Sequence, residues 1–297
     1  MKKGKIIAIV GGKGGVGKTT TATNLAAAVA QRLSKARSSS VRVAFIDNDP
    51  NHTASTCFGI FEQDVQRSLY AVYASRMTLG QSQTDVLDVL QPVLHEGERG
   101  ADESIDLAPA HMEMSLLDMR LSSVPGREAI LRKATTSLRQ HYDYTFVDTP
   151  PNLGVLSQNA MAAADWIVVP VQTTWLGLEG LVQVLSVFEQ VKASIETNPR
   201  PQIAALLPTF FDVREGLHKE VLGYLHSPAF SDQFPGLAGK VLTSQVSRLS
   251  VWNKVQAQAR TVYRAYPDEE LKLNKADLGR AISEMDAVAE EVLSRCQ

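Results

Sequence analysis

The feature that most constrains this chain is a glycine-rich run, residues 11–20, placed between an apolar stretch and an alanine-rich one. From Gly12 the run reads Gly, four residues, Gly-Lys-Thr, which is the pattern of a phosphate-binding loop between a strand and a helix. Glycines there let backbone N–H groups turn towards a polyphosphate, and the following helix directs its positive end at the same anion. The pattern predicts that Lys18 reaches the β- and γ-phosphates and that the Thr19 hydroxyl is a ligand of Mg²⁺. The residues predicted to bind the phosphates are Gly12, Lys13, Gly14, Gly15, Val16, Gly17, Lys18, Thr19 and Thr20.

Short apolar runs recur along the chain and alternate with helical patterns. The runs are residues 6–10, 41–46, 105–108, 144–147, 166–171 and 203–207. Continuous apolar strands are typical of a parallel sheet covered on both faces, and residues 127–141 and 178–195 have apolar residues at helical spacing. The sequence therefore predicts a doubly wound α/β fold, with a mostly parallel sheet and helices on both faces. We expect residues 1–297 to form a single domain, with a possible insertion around 58–104 that is a solvated surface loop.

Carboxylates follow two of the predicted strands directly. Asp47 and Asp49 end the second run, and Asp148 ends the fourth. Ligands of such sheets collect at the carboxyl ends of the strands, and Mg²⁺ prefers oxygen ligands while keeping much of its water. Each aspartate alone is also explained as a loop cap before proline. Three of them at strand ends, in a chain with a phosphate-binding loop, favour a nucleotide and magnesium site.

A second lysine inside the loop, Lys13, narrows the interpretation. Taken alone it is equally consistent with a solvated loop charge. Residues 13–20, however, resemble the deviant Walker A box of the ParA/MinD ATPases, and two other stretches resemble that family's aspartate signature and Walker B box. These are Asp47-Asn48-Asp49-Pro50 and Asp148-Thr149-Pro150-Pro151, and the resemblance extends to Asn159-Ala160 and Leu178-Glu179-Gly180-Leu181. Asn51 departs from the family, which more often has glutamine there.

The resemblance implies a P-loop NTPase fold of the deviant Walker A type and a homodimer that encloses ATP and Mg²⁺. It implies that Lys13 crosses the dimer interface to the partner's nucleotide, so that Lys13, Lys18 and Asp49 form the catalytic set. Asp49 would orient the attacking water, and Asp47 would couple nucleotide state to a switch loop. Thr19, Asp47 and Asp148 form the expected metal shell, and a centromere-binding, ParB-like partner would accelerate hydrolysis.

The last third of the chain contains a stretch, residues 233–267, with no acidic residue. Its basic residues are Lys240, Arg248, Lys254, Arg260 and Arg264, interleaved with Trp252, Tyr263 and Tyr266. Such a stretch can hold a DNA backbone by counterion release, although an ordinary solvated helix face is also consistent with it. The resemblance implies that Arg214 and Arg248 contact non-specific DNA, with Lys240 and Lys254 as further candidates. A structural role for Arg214 remains an alternative.

Other functions within the same nucleotide chemistry stay open. A MinD-like membrane positioner would need a basic amphipathic helix, whereas residues 275–295 are acidic, so no membrane contact is expected. An electron-donating iron protein would need cluster cysteines, and Cys57 and Cys296 are wrongly placed for them. A third alternative is a relative that positions a secretion, conjugation or polysaccharide machine. No apolar run is long enough to span a membrane, which predicts a cytoplasmic protein. The resemblance implies that it is associated with the nucleoid when ATP is bound.

Overall fold

An eight-stranded sheet lies at the centre of the protein. The computed structural model describes residues 4–36, 41–77, 82–93, 103–195, 201–265 and 273–296. The strands are β1 (Lys5–Ile9), β2 (Val41–Asp47), β3 (Gln91–Pro92), β4 (Glu103–Ala108), β5 (Tyr144–Asp148), β6 (Trp166–Gln172), β7 (Gln202–Phe211) and β8 (Val246–Ser247). Their order is β3-β4-β2-β5-β1-β6-β7-β8, and only the β3–β4 pair is antiparallel. All six predicted strands are confirmed, and they meet in one parallel sheet.

Helices connect the strands and lie on both faces of the sheet. They are α1 (Lys18–Ala36), α2 (Thr53–Cys57), α3 (Leu69–Ala74), α4 (Leu117–Arg120), α5 (Ile130–Ala134), α6 (Leu138–His141), α7 (Val155–Ala163), α8 (Trp175–Ser194), α9 (Gly216–Leu225), α10 (Pro228–Gln233), α11 (Ser250–Ala257), α12 (Val262–Ala265) and α13 (Lys275–Arg295). Short 3₁₀ helices cover Glu62–Asp64, Val86–Val89, Met112–Leu116, Arg127–Ala129 and Pro235–Leu237.

The two faces of the sheet have separate apolar cores. Along β1, Ile6 and Ala8 face one core, while Ile7 and Ile9 face the other, because successive side chains of a strand point to opposite sides. The first core includes apolar residues of α3, α5, α7 and α8, and the second includes those of α1, α11 and α13. The doubly wound α/β fold is therefore confirmed.

The segment 58–104 is packed into the protein where the structure describes it, so the expectation of a solvated surface loop is wrong there. Leu69, Val72 and Tyr73 of α3 are fully buried in the first core. β3 adds an edge strand to β4, and the Tyr73 hydroxyl donates a 2.9 Å hydrogen bond to Asn48 Oδ1. This segment thus supports the loop that follows β2. Residues 78–81 and 94–102 lie outside the described part of the chain.

Helix predictions were confirmed at the chain's end and only partly in its middle. α13 has the predicted bounds, and Asn274 caps it by accepting hydrogen bonds from the backbone N–H groups of Ala276 and Asp277. The predicted helix 127–141 is instead a 3₁₀ turn followed by α5 and α6. It breaks where the Thr135 hydroxyl donates to the Leu131 carbonyl at 2.8 Å, a back-bond that commonly bends helices. In the ranges that the structure describes, no helix is both long and apolar enough to cross a membrane.

Candidate functional site

The glycine-rich loop lies at the carboxyl end of β1 and leads into α1, as predicted. Gly17 has a left-handed backbone with φ of 89°, a conformation that side chains other than glycine rarely tolerate. Its carbonyl accepts the Thr21 N–H at 2.8 Å, which starts the hydrogen bonding of α1. The first turn of α1 therefore directs unpaired N–H groups into the loop, where an anion is stabilised.

The two lysines of the loop point in different directions. Lys18 is 6% exposed, and its Nζ donates to the Lys13 carbonyl at 3.0 Å, so it lies along the inside of the loop. Burial lowers the pKa of Lys18, while the charges of Asp148 and Asp49 oppose that shift. Lys13 Nζ instead contacts α8, donating to the Leu176 carbonyl at 3.0 Å and pairing with Glu179 at 3.3 Å. Lys13 therefore points away from its own loop.

The loop rests directly on the backbone of α8. A Cβ atom added at Gly12 would lie 2.5 Å from the Gly180 carbonyl oxygen, which no real side chain tolerates without movement. A Cβ atom added at Gly180 would in turn lie 3.4 Å from the Lys13 side chain. The stretch Leu178-Glu179-Gly180-Leu181 thus provides the surface on which the loop packs.

We expect the Gly12→Ala substitution to lower the free energy of unfolding of the nucleotide-free protein by about 1–3 kcal/mol, the usual cost of overpacking. Gly14→Ala is the matched control in the same loop, because its added Cβ would meet only Pro151, at 3.7 Å. Urea unfolding measures both variants. Equal stability of the two would show that the contact between the loop and α8 is not tight.

Asp47 and Asp148 lie side by side at the ends of β2 and β5 and are fully buried. Asp47 Oδ2 accepts hydrogen bonds from the Ser55 N–H at 2.8 Å and the Ser55 hydroxyl at 2.6 Å, and its Oδ1 accepts one from the Asp49 N–H at 3.2 Å. Despite these bonds, burial raises the pKa of Asp47 to about 6. Both oxygens of Asp47 thus already bind the loop after β2, which fits a coupling role better than a direct metal contact.

Asp148 differs, because neither of its carboxylate oxygens has a hydrogen-bond partner among the described residues. Burial, and next the charge of Asp47, raise its pKa well above the usual range, while the nearby Thr19 hydroxyl acts in the opposite direction. A buried carboxylate without partners is costly unless a cation balances it. Asp148 and Thr19 are therefore the residues best suited to a bound Mg²⁺, which typically takes one or two protein ligands together with phosphate and water. In the described parts of the chain, no group of three or more His, Cys, Asp or Glu side chains could hold a metal ion.

Asp49 lies close to Lys18 at the rim of the loop. It is 6% exposed, and its Oδ1 accepts the Asn51 N–H at 3.0 Å. Burial raises the pKa of Asp49, an effect opposed by the hydrogen bond from Asn51 and then by the charge of Lys18. A partly desolvated carboxylate beside the phosphate-binding lysine is suitable for holding a water molecule.

A pocket of about 530 Å³ opens beside the loop, between the ends of β7 and β8. The sequence did not reveal it. Three groups of residues line it: Gly17, Thr20 and Thr21 of the loop and α1; Thr209, Phe210, Asp212, Arg214 and Glu215 after β7; and Val246, Ser247, Arg248, Leu249, Ser250, Trp252 and Asn253 around β8. Phe210 has a left-handed backbone with φ of 56°, a strained conformation for a bulky residue that concentrates at functional sites. One signal was available, since residues after the sixth predicted strand must reach the same edge of the sheet as the phosphate-binding loop.

Two of the predicted DNA-binding residues, Arg214 and Arg248, lie together in the lining of this pocket. The Arg214 guanidinium makes two hydrogen bonds to the carboxylate of Asp212, from Nε at 2.9 Å and from a terminal nitrogen at 2.7 Å. This pairing lowers the pKa of Asp212. Arg248 is exposed, and within the described ranges its side chain has no hydrogen-bond or ion-pair partner. Arg248 is therefore the freer of the two to contact an anion.

Of the other basic residues, Lys240 does not share a surface with this pair. Lys254 is exposed on α11. The Lys240 carbonyl accepts the N–H of Leu206 in β7, whereas the Arg248 N–H donates to Phe211, five residues further along β7. Five residues of strand span about 16 Å, so Lys240 is distant from Arg248. Arg264 contacts the Phe58 carbonyl at 3.2 Å.

Two of the three aromatic residues interleaved with these basic ones pack against the second core. Trp252 is buried and donates to the Ser247 carbonyl at 3.0 Å, and the Tyr263 hydroxyl donates to Asp286 at 2.7 Å. Trp252 belongs to the second core, and Tyr263 packs against it while staying partly exposed. Tyr266 lies outside the described residues.

Comparison with known proteins shows the family of this chain. The profile of an AAA domain family, AAA_31, matches residues 4–203. The sporulation initiation inhibitor protein Soj of Bacillus subtilis is 35% identical over 219 residues, which cover 74% of this chain and 78% of Soj. The chromosome partitioning protein ParA of Caulobacter vibrioides is 35% identical over 219 residues, covering 73% of each chain. Among solved structures, cobyrinic acid a,c-diamide synthase from Mycobacterium smegmatis with bound ADP and magnesium has a TM-score of 0.66 and 25% identity, covering 89% of this chain and 96% of the synthase. With a phosphate-binding loop, strand-end aspartates and relatives of this similarity, the chain belongs to the ParA/Soj family of P-loop ATPases.

Proposed function

We propose that this protein is a DNA-partition ATPase that binds ATP and Mg²⁺, dimerises around the nucleotide, holds DNA without sequence preference and releases it on hydrolysis. The relatives named as chromosome partitioning proteins support the role in partition, and the synthase solved with ADP and magnesium supports the ligands. A ParB-like partner accelerates turnover in this proposal, and the ATP-bound form is associated with the nucleoid.

ATP fits the site along its whole length. The triphosphate lies on the backbone of the loop from Gly12 to Thr20 with Lys18 beside it, and the base occupies the pocket between β7 and β8. Gly17 and Thr20 belong to both the loop and the pocket lining, so the two parts of the site are continuous. Mg²⁺ neutralises phosphate charge when it is bound, and Thr19 and Asp148 are the residues that hold it.

The direction of the Lys13 side chain is the main support for the proposed dimer. Its ammonium group lies outside its own phosphate site, on an exposed surface next to α8. Exposed apolar side chains, Trp175 and Leu176, begin the same helix. A lysine presented in this way can reach the phosphates of a second copy of the chain, where it neutralises charge that develops during phosphoryl transfer.

Hydrolysis is an attack by water on the γ-phosphorus, which breaks the bond to the β,γ-bridging oxygen and gives ADP and phosphate. Asp49 orients this water and takes its proton, which then passes to the phosphate product. Lys18 stays against the oxygens on which negative charge develops, and Lys13 of the second copy adds a further positive charge. Catalysis comes mainly from positioning and charge stabilisation, so turnover without a partner is slow.

The DNA-binding step is tested with a retardation assay on random-sequence DNA at low salt. We expect the wild type to retard DNA with ATP and Mg²⁺ but not with ADP, and to lose this binding steeply as salt rises. Arg248→Glu should weaken retardation at least about tenfold, because it replaces a phosphate contact by a repulsion. The matched control is Lys192→Glu, an identical charge change at a half-exposed lysine near the far end of α8.

Because Arg248 also lines the pocket, ATP affinity is measured for the same variants. Loss of DNA binding with ATP affinity within about twofold of the wild type supports a direct DNA contact. Parallel loss of both would assign Arg248 to the nucleotide alone. Absence of retardation in every nucleotide state would contradict DNA binding and favour an ATP-controlled adaptor that positions another machine.

A further inference from the structure

The acidic helix α13 is hydrogen-bonded to segment 243–249, and residues 246–249 of this segment form one wall of the pocket. Two of its carboxylates, Glu284 and Glu291, are separated by seven residues, which is about two helical turns, so they lie on the same face. That face meets residues 243–247, part of the stretch without acidic residues. The acidic helix and the acid-free stretch are thus packed against each other.

Glu284 holds Ser247 by both its backbone and its side chain. Its Oε2 accepts the Ser247 N–H at 2.8 Å, and its Oε1 accepts the Ser247 hydroxyl at 2.6 Å. Arg280 completes the arrangement, donating to Glu284 Oε1 at 2.8 Å and to the Ser247 hydroxyl oxygen at 2.7 Å. The Glu284 side chain is 15% exposed, so these bonds are shielded from water.

Glu291 holds the residues just before. It accepts the Thr243 N–H at 3.0 Å, the Thr243 hydroxyl at 2.6 Å and the Ser244 N–H at 2.6 Å. Burial raises the pKa of Glu291, but the hydrogen bonds from Ser244 and Thr243 outweigh it and leave the pKa below its usual value. The ionised carboxylate is therefore the form that the segment binds.

Apart from these hydrogen bonds, segment 243–249 is joined to the sheet, within the described residues, only through the short strand β8. β8 is a two-residue edge strand, and its register with β7 is interrupted at Phe210. Such a short strand does not fix a backbone by itself. Yet Val246, Ser247, Arg248 and Leu249 form a wall of the pocket, and the Ser247 carbonyl also receives the indole N–H of Trp252.

We propose that Glu284 and Glu291 are positioning residues for the nucleoside part of the substrate, because they hold segment 243–249, whose residues 246–249 line the pocket. This role rests on the proposed function, in which that pocket receives the base. The phosphate end is independent of it, since Lys18 and the loop contact neither carboxylate. Affinity for the nucleoside and affinity for the phosphates are thus set by different parts of the chain.

The test compares two ligands of wild-type protein and variants by calorimetry with Mg²⁺: ATP and inorganic tripolyphosphate. Glu284→Gln presents an amide N–H₂ where the Ser247 N–H or hydroxyl needs an acceptor, and we expect the Kd for ATP to rise about tenfold. The Kd for tripolyphosphate should stay within about twofold, because that ligand uses only the loop. Glu291→Gln should have a smaller effect in the same direction, since Thr243 and Ser244 lie outside the lining.

Glu290→Gln is the matched control, because Glu290 is on the same helix but pairs with Arg32 at 3.0 Å, away from the segment. Its two Kd values should equal those of the wild type. Equal weakening of ATP and tripolyphosphate in Glu284→Gln, or no weakening of either, would overturn the positioning role. If wild-type protein bound ATP no more tightly than tripolyphosphate, the base would not occupy the pocket, and the proposed placement of ATP would fail first.

Discussion

The Lys13→Gln variant is expected to bind ATP as a monomer and to fail to dimerise. The Lys13 side chain contacts α8 rather than its own loop, so the Kd for ATP of the monomer should stay within about threefold of the wild type. In the dimer, the variant leaves the phosphates of the second copy without a charged partner, a loss of at least about 100-fold in dimer affinity. Hydrolysis should fall by about 10³-fold or more, as with the removal of an arginine finger.

Sedimentation with ATP and Mg²⁺ measures the dimer, and phosphate release measures turnover. The Lys192→Gln variant is the control, because Lys192 is a half-exposed lysine of α8 whose ion pair with Glu189 is long, at 3.8 Å. An Asp49→Ala background, which should hydrolyse ATP slowly, keeps the nucleotide intact during sedimentation. Dimerisation and turnover that survive Lys13→Gln would refute the shared site and return Lys13 to a solvated loop charge.

The second large effect is expected for Asp148→Asn, which should stabilise the protein without its ligands and remove its response to Mg²⁺. The substitution replaces one of two adjacent buried carboxylates by a neutral amide. We therefore expect the free energy of unfolding to rise by about 1–2 kcal/mol at pH 8. With ATP, the wild type should gain further stability when Mg²⁺ is added, because a ligand that binds only the folded state stabilises it. The variant should gain the same stability from ATP with or without Mg²⁺.

The sign of the pH dependence follows from the raised pKa values of this pair. A carboxyl whose pKa is raised on folding holds its proton more tightly in the folded state, so stability falls as the pH rises from about 4 to beyond the folded-state value. For Asp47 that value is about 6. The advantage of Asp148→Asn should therefore be small at pH 5 and grow towards pH 8, measured by urea unfolding. An advantage that shrinks with rising pH would mean that the two carboxylates are not repelling each other.

The sequence was sufficient for the part of the site that is local along the chain. The phosphate-binding loop, Asp47, Asp49 and Asp148 each directly follow a short apolar strand, and the parallel arrangement brings those strand ends together. The contact of Gly12 with Gly180 was not predictable, because nothing in either glycine's neighbourhood indicates which backbone will approach it.

The pocket escaped prediction for a related reason. Its lining comes from three stretches that are distant in sequence, and in one of them residues 246–249 have neither strand periodicity nor a helical pattern. Counted along the chain, the charges of the acid-free stretch are consistent with a surface for DNA or with a solvated helix face. In the folded protein that stretch packs against the acidic α13, and Trp252 and Tyr263 turn inwards. Charge balance across elements distant in sequence is visible only after folding.

The hydrogen bonds between α13 and the pocket wall have a consequence for the synthesis of this protein. The phosphate-binding loop, residues 11–20, is made well before Glu284 and Glu291, which lie far downstream of it in the chain. α13 also packs against α1, the helix that follows the loop. If the pocket receives the base as proposed, a nascent chain on the ribosome has its phosphate-binding residues long before its nucleoside pocket is complete. We then expect full affinity for ATP, and with it the proposed pairing with a second copy, only after α13 has emerged and docked.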